Sequence, residues 1–405
     1  MRDTVPIYIK LRIVASCIGS TLLDVRRMYG ENKKKKNEKN MATLEDKLLA
    51  MLKPERFRHT SSDPEGFSAK HPFESDYFRI VTSAPMRRLQ DKTQIFPQEK
   101  SDFVRRRLTH SIEVGAIGRR LGWMIEDELK NQGILSEKYA GVYEHSLASI
   151  LEAAGLVHDI GNPPFGHFGE TTIQTFFAHL QDYCANDEAF NQFNGMSKEK
   201  QQDFLHFDGN VQGLRILRHL GLSADDNSFN LTMPTLAAII KYPYSSTEGN
   251  QSDAATHALE KFGYFQSEAS TYDTICDKLS MKKKQRHPLA YLLEAADDIA
   301  NVTSDVEDGF KMGIISLDKI QNVLEKYKIQ SFYEKIDFDK IEGFLGEQQE
   351  ECTDKDLVPP GITNELRVKE FRIRCVTALM CKARDIFIKK LPVIVEASRL
   401  SLPKT

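Results

Sequence analysis

Three long stretches of this chain repeat apolar residues at intervals of three and four, the spacing of one face of an α-helix. Leu108, Ile112, Ala116 (or Gly115), Leu121 and Ile125 make the first stripe. Leu147, Ile150, Leu151, Ala154 and Val157 make the second, and Leu289, Leu292, Leu293, Ala296 and Ala300 the third. Alternating apolar and polar runs bounded by turn residues are scarce, so the expected fold class is all-α. Breaks are expected where glycine and proline gather: Gly161-Asn162-Pro163-Pro164, Lys241-Tyr242-Pro243 and Val358-Pro359-Pro360-Gly361. The polar run 245–253 reads as a loop.

With 405 residues, 40% of them hydrophobic and 28% charged, the chain can bury a sizeable core. Its net charge of -3 argues against a general nucleic-acid coat, whose footprint is strongly basic. Arg87-Arg88, Arg105-Arg106-Arg107 and Lys282-Lys283-Lys284 are local anion-binding candidates. Cys17, Cys184, Cys276, Cys352, Cys375 and Cys381 stand apart with no CxxC pair, which suits a reducing cytoplasm and gives no zinc-finger reading. No run approaches the roughly 18 uncharged apolar residues that span a bilayer, so no membrane partner is expected. Residues 7–25 are fairly apolar, but Lys10 and Arg12 interrupt them, and the Lys33–Lys36 run follows in a segment too polar to pack. Residues 1–40 are therefore expected to be a disordered or non-native extension, with the functional protein starting near Met41 and Thr43 capping a helix there. Residues 41–405 are expected to form one helical domain without internal repeats.

His158 and Asp159 end the second stripe, immediately before the Gly/Pro break. A carboxylate in so apolar a setting needs a cation or strong donors. His110 lies on the first stripe's helix, and Asp297 shares a helix face with Leu293 on the third. Four nitrogen and oxygen donors thus sit on three apolar helices that can converge, and such a set suits Mn²⁺, Fe²⁺, Zn²⁺ or Mg²⁺. Salt bridges to nearby arginines are the alternative reading of the same carboxylates. Downstream, His167 and Glu170 are three residues apart and fall on one face of the next helix, where the carboxylate can orient the imidazole. Arg107 lies one turn before His110 and can point the same way.

The order His, His-Asp, Asp resembles the signature of the HD-domain phosphohydrolases, and the surrounding text resembles one branch, the deoxyguanosinetriphosphate triphosphohydrolases. The matching stretches are Arg87–Gln94, Arg107–Val114, His158–Glu170, His206–Gln212, Lys241–Pro243, Phe262–Glu268 and Glu294–Ile299. They follow the family's order and cover a core of about residues 75–310, with a C-terminal helical part over 311–405. The resemblance implies an HD-domain helical bundle with additional helices. It implies His110, His158, Asp159 and Asp297 as ligands of a divalent metal ion (Mn, Mg, Fe, Co or Zn), with Asp298 the runner-up for the last place. His167 and Glu170 are implied as the catalytic pair. Gln90, Arg107, Asn210, Lys241 and Tyr242 are implied as substrate-binding residues, Gln90 toward the sugar 3′-hydroxyl and the others toward the polyphosphate. The implied activity is hydrolysis of a deoxynucleoside triphosphate, dGTP foremost, to deoxynucleoside and inorganic triphosphate. The implied partners are the dNTP substrate, further copies in a homo-oligomer, and a dNTP effector or single-stranded DNA.

The sequence departs from the family in two places. Where much of the family has a tyrosine four residues after the last ligand, stacking on the sugar, this chain has Asn301; Tyr291 or Tyr264 are the rings available to replace it. Val368–Arg374 resembles the start of a late family helix at the base pocket, with Arg372 and Arg374 as candidate base contacts, but the chain ends at Thr405, earlier than the family pattern leads one to expect. Two other readings compete: an HD-type nucleotidase acting on other nucleotides, and a low-turnover nucleotide-sensing or DNA-binding regulator.

Overall fold

The computed structural model describes residues 38–58, 70–96, 103–180, 188–221, 227–249, 261–326 and 362–396. The expectations for residues 1–37, for the break at 358–361 and for the end of the 245–253 loop lie outside the described residues. In chain order the helices are α1 (Glu38–Met51), α2 (Pro72–Val81), α3 (Ala84–Arg87), α4 (Arg107–Asn131), α5 (Ser146–Val157), α6 (His167–Ala178) and α7 (Glu188–Gly195). They continue with α8 (Lys198–Leu205), α9 (Gly209–Arg215), α10 (Met233–Ile239), α11 (Ala269–Lys278), α12 (Pro288–Lys311), α13 (Leu317–Lys326) and α14 (Ile362–Ile394). Among the described residues there is no strand, only the isolated bridges Thr93↔Arg106 and Ser245↔Tyr264. The fold is all-α, as the stripes require. No described helix is long and apolar enough to cross a membrane. Helix α1 starts at Glu38, so Thr43 lies inside it and is not its cap. The polar residues ahead of Met41 continue the helix because none of them is a Gly or Pro breaker.

The chain falls into two compact units. The described part of the smaller one comprises residues 103–105, α12 from Asp298 onward, α13, and α14 as far as Asp385. Within it the Arg105 guanidinium bonds Glu307 at 2.5 Å and also bonds Asp308, while Arg372 Nε lies 3.5 Å from Glu307. Val306, Phe371, Cys375 and Met380 are the buried apolar residues of the same segments.

The larger unit holds α1 to α11, α12 as far as Asp297, and residues 386–396. Its centre is the pair α4 and α5. Helix α5 is buried almost all round, with Ala148, Ile150, Leu151, Ala154 and Val157 at 0% exposure. Helix α4 presents the stripe read from its sequence only in part: Gly115, Leu121 and Ile125 face inward. Ile112 is 51% exposed and Ala116 is exposed; the buried face runs instead through Val114, Gly115, Gly118, Leu121, Gly122 and Ile125. The glycines explain the difference. They contribute no apolar signal, yet they let two backbones touch. A Cβ at Gly122 would lie 2.5 Å from the Ala148 Cα, and one at Gly155 would lie 2.7 Å from the Gly115 Cα.

Two buried polar centres fasten this unit. Asp76 on α2 is wholly buried and accepts from Arg56 (2.7 Å), the Thr232 N–H (3.0 Å) and hydroxyl (2.6 Å), and the Thr235 hydroxyl (2.8 Å). Arg56 also donates to the Pro72 carbonyl at 2.6 Å and the Asn230 carbonyl at 2.5 Å. The start of α10, whose cap residue Thr232 makes no side-chain bond to a helix N–H, is thereby held by a carboxylate from another helix. The second centre is His287, 1% exposed, which donates from Nε2 to the Met51 carbonyl at 3.0 Å and accepts the Leu289 N–H at Nδ1.

Burial lowers the His287 pKa to about 4, the Met51 carbonyl opposing only in part. Because this is below the unfolded value of about 6.5, stability from the neutral ring is fully present above pH 6.5 and is lost as pH falls toward 4. The shift corresponds to about 3 kcal/mol across that window. His287→Gln, which keeps a donor and an acceptor but does not titrate, should flatten the acid limb of a Tm-versus-pH profile between pH 6.5 and 4. Parallel profiles for the two proteins would refute this origin of acid sensitivity.

Candidate metal centre

His110 enters the site from the first turns of α4. The helix begins where Thr109 Oγ1 accepts the Arg106 N–H at 3.0 Å, which leaves Arg107 in the first turn and His110 on the same face. The preceding segment pins this start: Thr93 and Arg106 form an antiparallel bridge, and the Arg107 N–H donates to the Lys92 carbonyl at 3.1 Å. His158 and Asp159 come from the end of α5. There the chain passes α9 so closely that a Cβ at Gly161 would lie 2.2 Å from both the Gly209 carbonyl oxygen and the Gly213 nitrogen. Asp297 comes from α12.

The structure brings three of the predicted ligands together: the donor atoms of His110, His158 and Asp297 all lie within 4.8 Å of one another. His110 Nε2 is 3.1 Å and His158 Nε2 3.5 Å from the same oxygen, Asp297 Oδ1. The two imidazoles meet edge to face, 5.3 Å between centroids. His158 donates from Nδ1 to the Gly155 carbonyl at 2.7 Å, which turns Nε2 toward the carboxylates. That Nε2 is buried and makes no hydrogen bond. A buried nitrogen left so costs about 1–3 kcal/mol unless something else meets it. Two imidazole nitrogens around carboxylate oxygens are a fitting donor set for a divalent ion. Asp159 stands beside the cluster, Oδ1 3.6 Å from His158 Nε2, and is engaged by Asn162 Nδ2 at 2.5 Å and by the Arg107 guanidinium. Asp298 is exposed.

Burial alone would lower the His158 pKa; Asp159 first and then Asp297 reverse that and raise it to about 9. Burial is the largest influence on the two carboxylates and works to raise them, but His158 with Arg107 and His110 at Asp159, and His158 with the His110 hydrogen bond at Asp297, together outweigh it, and both lie below the usual range.

Helix α6 starts at His167, after Phe165 (φ 66°) and Gly166 (φ 53°) turn the chain through the left-handed region. This sharp entry sets His167 and Glu170 on one face, with His167 Nδ1 2.7 Å from Glu170 Oε2. The other Glu170 oxygen accepts the Gly209 N–H at 2.7 Å. Burial would raise the Glu170 pKa, but the bonds from His167 and Gly209, with the His167 and Lys261 charges, lower it. The carboxylate is thus ionised and fixed, while the imidazole side chain is 64% exposed.

The substrate-binding residues implied by the sequence divide. Arg107 reaches from Asp159 toward Gly166, where an added Cβ would meet its Nη2 at 2.8 Å. Asn210 is oriented by Asp208, the α9 cap, through its N–H at 2.8 Å and its Nδ2 at 3.1 Å. Lys241 Nζ sits 2.7 Å from Glu294, one turn ahead of Asp297, and 5.7 Å from the Tyr242 ring centroid. Gln90, in contrast, is exposed on the 3-10 turn Arg88–Asp91. Two residues on, Lys92 turns inward and donates from Nζ to the Asn162 carbonyl at 2.7 Å. Sequence reasoning also passed over Glu294, which pairs with Arg286 as well at 2.7 Å, and Lys261, 3.4 Å from Asp208. Lys92 and Glu294 both lie inside the stretches that carried the resemblance.

Of the rings considered in place of Asn301, Tyr264 is stacked on Tyr272 at 4.6 Å and Tyr291 lies under the Arg286 guanidinium at 4.2 Å. Asn301 itself belongs to the smaller unit, as do Arg372 and Arg374, the latter paired with Glu370 at 3.1 Å.

The HD domain family model matches residues 107–201, the span from Arg107 through the His167–Glu170 pair. The deoxyguanosinetriphosphate triphosphohydrolase-like protein of Listeria monocytogenes serovar 1/2a is 42% identical over 255 residues, 63% of this chain and 53% of the relative. That of Synechocystis is 39% identical over 289 residues, 68% of this chain and 62% of the relative. The deoxyguanosinetriphosphate triphosphohydrolase of Salmonella paratyphi A is 33% identical over 353 residues, 82% of this chain and 68% of the relative. The chain thus spans about half to two thirds of the length of these curated relatives. An all-α fold, an HD-domain match that contains His110 and His158 of the His/His/Asp cluster, and 33% identity over 82% of the chain place it in the deoxyguanosinetriphosphate triphosphohydrolase family.

Proposed function

We propose that the protein is a metal-dependent hydrolase that converts a deoxynucleoside triphosphate, dGTP foremost, into deoxynucleoside and inorganic triphosphate. The observation that carries this reading is the convergence of His110, His158 and Asp297 within 4.8 Å, with the Arg107 guanidinium on the adjacent Asp159. Those three residues, with Asp159 beside them, would hold the ion, and Mn, Mg, Fe, Co and Zn all suit the donors. When bound, the ion supplies Lewis acidity toward a phosphoryl oxygen and acidifies water.

The proposed reaction adds water to the α-phosphorus as the bond from phosphorus to the 5′-oxygen breaks. The deoxynucleoside leaves with a proton on that oxygen, and the triphosphate leaves intact. His167, fixed at Nδ1 by Glu170, handles that proton at Nε2. Arg107 meets charge growing on the phosphate oxygens, joined by Lys241 once it exchanges Glu294 for phosphate, with Asn210 and Tyr242 as neutral donors. Gln90, assigned by resemblance to the 3′-hydroxyl, gains no support from its exposed position.

Assaying the purified protein against all four dNTPs and GTP, with Mg²⁺, Mn²⁺ or Co²⁺, tests the reading. Inorganic triphosphate as product supports it; orthophosphate would make the protein a nucleotidase instead. Chelation and Asp297→Ala should each abolish turnover, and full activity of Asp297→Ala would remove that residue from the site. Turnover of GTP would show that the protein, which has Asn301 where much of the family has a tyrosine, accepts a 2′-hydroxyl. The reading brings with it a homo-oligomer in the cytoplasm, open to a dNTP effector or single-stranded DNA. Sedimentation with and without dGTP checks the assembly.

A further inference from the structure

We propose that Lys92 is a second phosphate-binding cation, paired with Arg107, which exchanges the Asn162 carbonyl for a polyphosphate oxygen when substrate binds. The inference rests on the proposed function and adds to it a residue that the resemblance did not assign.

Backbone geometry makes the pair. The Thr93↔Arg106 bridge and the bond from the Arg107 N–H to the Lys92 carbonyl clip the two residues together across neighbouring segments. The clip joins the extended residue after the Arg88–Asp91 turn to the first turn of α4, so both side chains leave from one place toward the end of α5. There Arg107 takes one oxygen of Asp159, Asn162 Nδ2 takes the other, and Lys92 Nζ takes the Asn162 carbonyl. The only carboxylate in this ring is already shared, and the ammonium is left with a neutral acceptor. Arg107 Nε is buried and makes no hydrogen bond.

Two adjacent cations in a half-buried setting repel each other unless an anion comes between them. Burial lowers the Lys92 pKa, and Arg107 and then Arg88 add to the effect while Asp159 opposes it. A divalent ion at the neighbouring cluster would make the surroundings more positive still. A polyphosphate supplies the missing charge, and a lysine can meet it: the ammonium is a compact point charge on a flexible stem, tied here by one bond to a carbonyl.

The bland alternative is that Lys92 only braces the turn after α5 by bonding the Asn162 carbonyl. Titrating wild type, Lys92→Met and Lys92→Arg with inorganic tripolyphosphate, with and without Mn²⁺, separates the two. Lys92→Met should weaken tripolyphosphate binding about tenfold or more, the scale of one charge-assisted hydrogen bond, and Lys92→Arg should restore most of it. With dGTP, KM should rise more than kcat falls, while Mn²⁺ binding and Tm stay near wild type. Equal tripolyphosphate affinity in Lys92→Met and wild type overturns the inference, and so does a Lys92→Arg protein as weak as Lys92→Met. If Lys92→Met folds poorly, Lys92→Gln keeps a donor for the Asn162 carbonyl and drops the charge, so the same comparison stands. Wild type that binds no tripolyphosphate overturns the proposed function itself and takes this inference with it.

Discussion

His167→Ala should reduce dGTP turnover by roughly 10²–10⁴-fold, the usual contribution of a positioned acid–base group, while leaving Mn²⁺ binding and Tm unchanged. The side chain is 64% exposed, so its loss opens no cavity, and Glu170, which it bonds, keeps the Gly209 N–H. Glu170→Gln should give a smaller loss, because the imidazole remains but its Nδ1 partner is no longer an anion. The two variants must therefore rank in that order. Wild-type turnover in His167→Ala would remove the pair from the mechanism, and loss of Mn²⁺ binding would mean that the residue acts on the metal cluster instead.

Asp76→Ala should destabilise the larger unit by about 3–5 kcal/mol, the range for removing one partner of a buried charge pair. The substitution leaves the Arg56 guanidinium buried and strands three further donors, the Thr232 N–H and the hydroxyls of Thr232 and Thr235. For a unit of this size the effect on Tm is on the order of 10 °C. Asp76→Asn should recover only part of it, since an amide places a second donor among donors. A Tm within about 2 °C of wild type for Asp76→Ala would refute the network's role. Because the same carboxylate holds the start of α10, and α10 leads to Lys241-Tyr242, substrate KM is the second quantity to follow.

The helical class and the convergence of His110, His158 and Asp297 were legible in the sequence because both are written in local patterns. Apolar periodicity identifies α5 and α12, and His158 and Asp297 fall where those stripes require a compensated charge. The orientation of α4 was legible only in part. Leu121 and Ile125 mark its inner face, but the closest contacts are made by Gly115, Gly118 and Gly122, which apolar periodicity cannot weigh, so the stripe also takes in Ile112 on the outer side. Gln90 and Lys92 show the same limit in another form. A 3-10 turn followed by one extended residue decides which of them faces inward, and neither residue type announces that turn. Asp76 was missed for a third reason: its hydroxyl and N–H partners at Thr232 and Thr235 lie 156 and 159 residues away in the chain, and Arg56 lies 20 away, separations at which spacing carries no information.

Gly155 serves the ligand cluster twice. Its carbonyl orients His158, and its missing side chain lets α5 press against Gly115, one turn and a half along α4 from His110. The gap between the two imidazoles is therefore gauged by how closely two backbones can approach, with no side chain between them to yield. A single methyl group there would wedge the helices apart and carry one nitrogen away from the other. Ions differ in radius by tenths of an ångström. In the proposed metal centre, the width of a glycine seam, several residues from any donor atom, would thus bear on which cation the donors could hold.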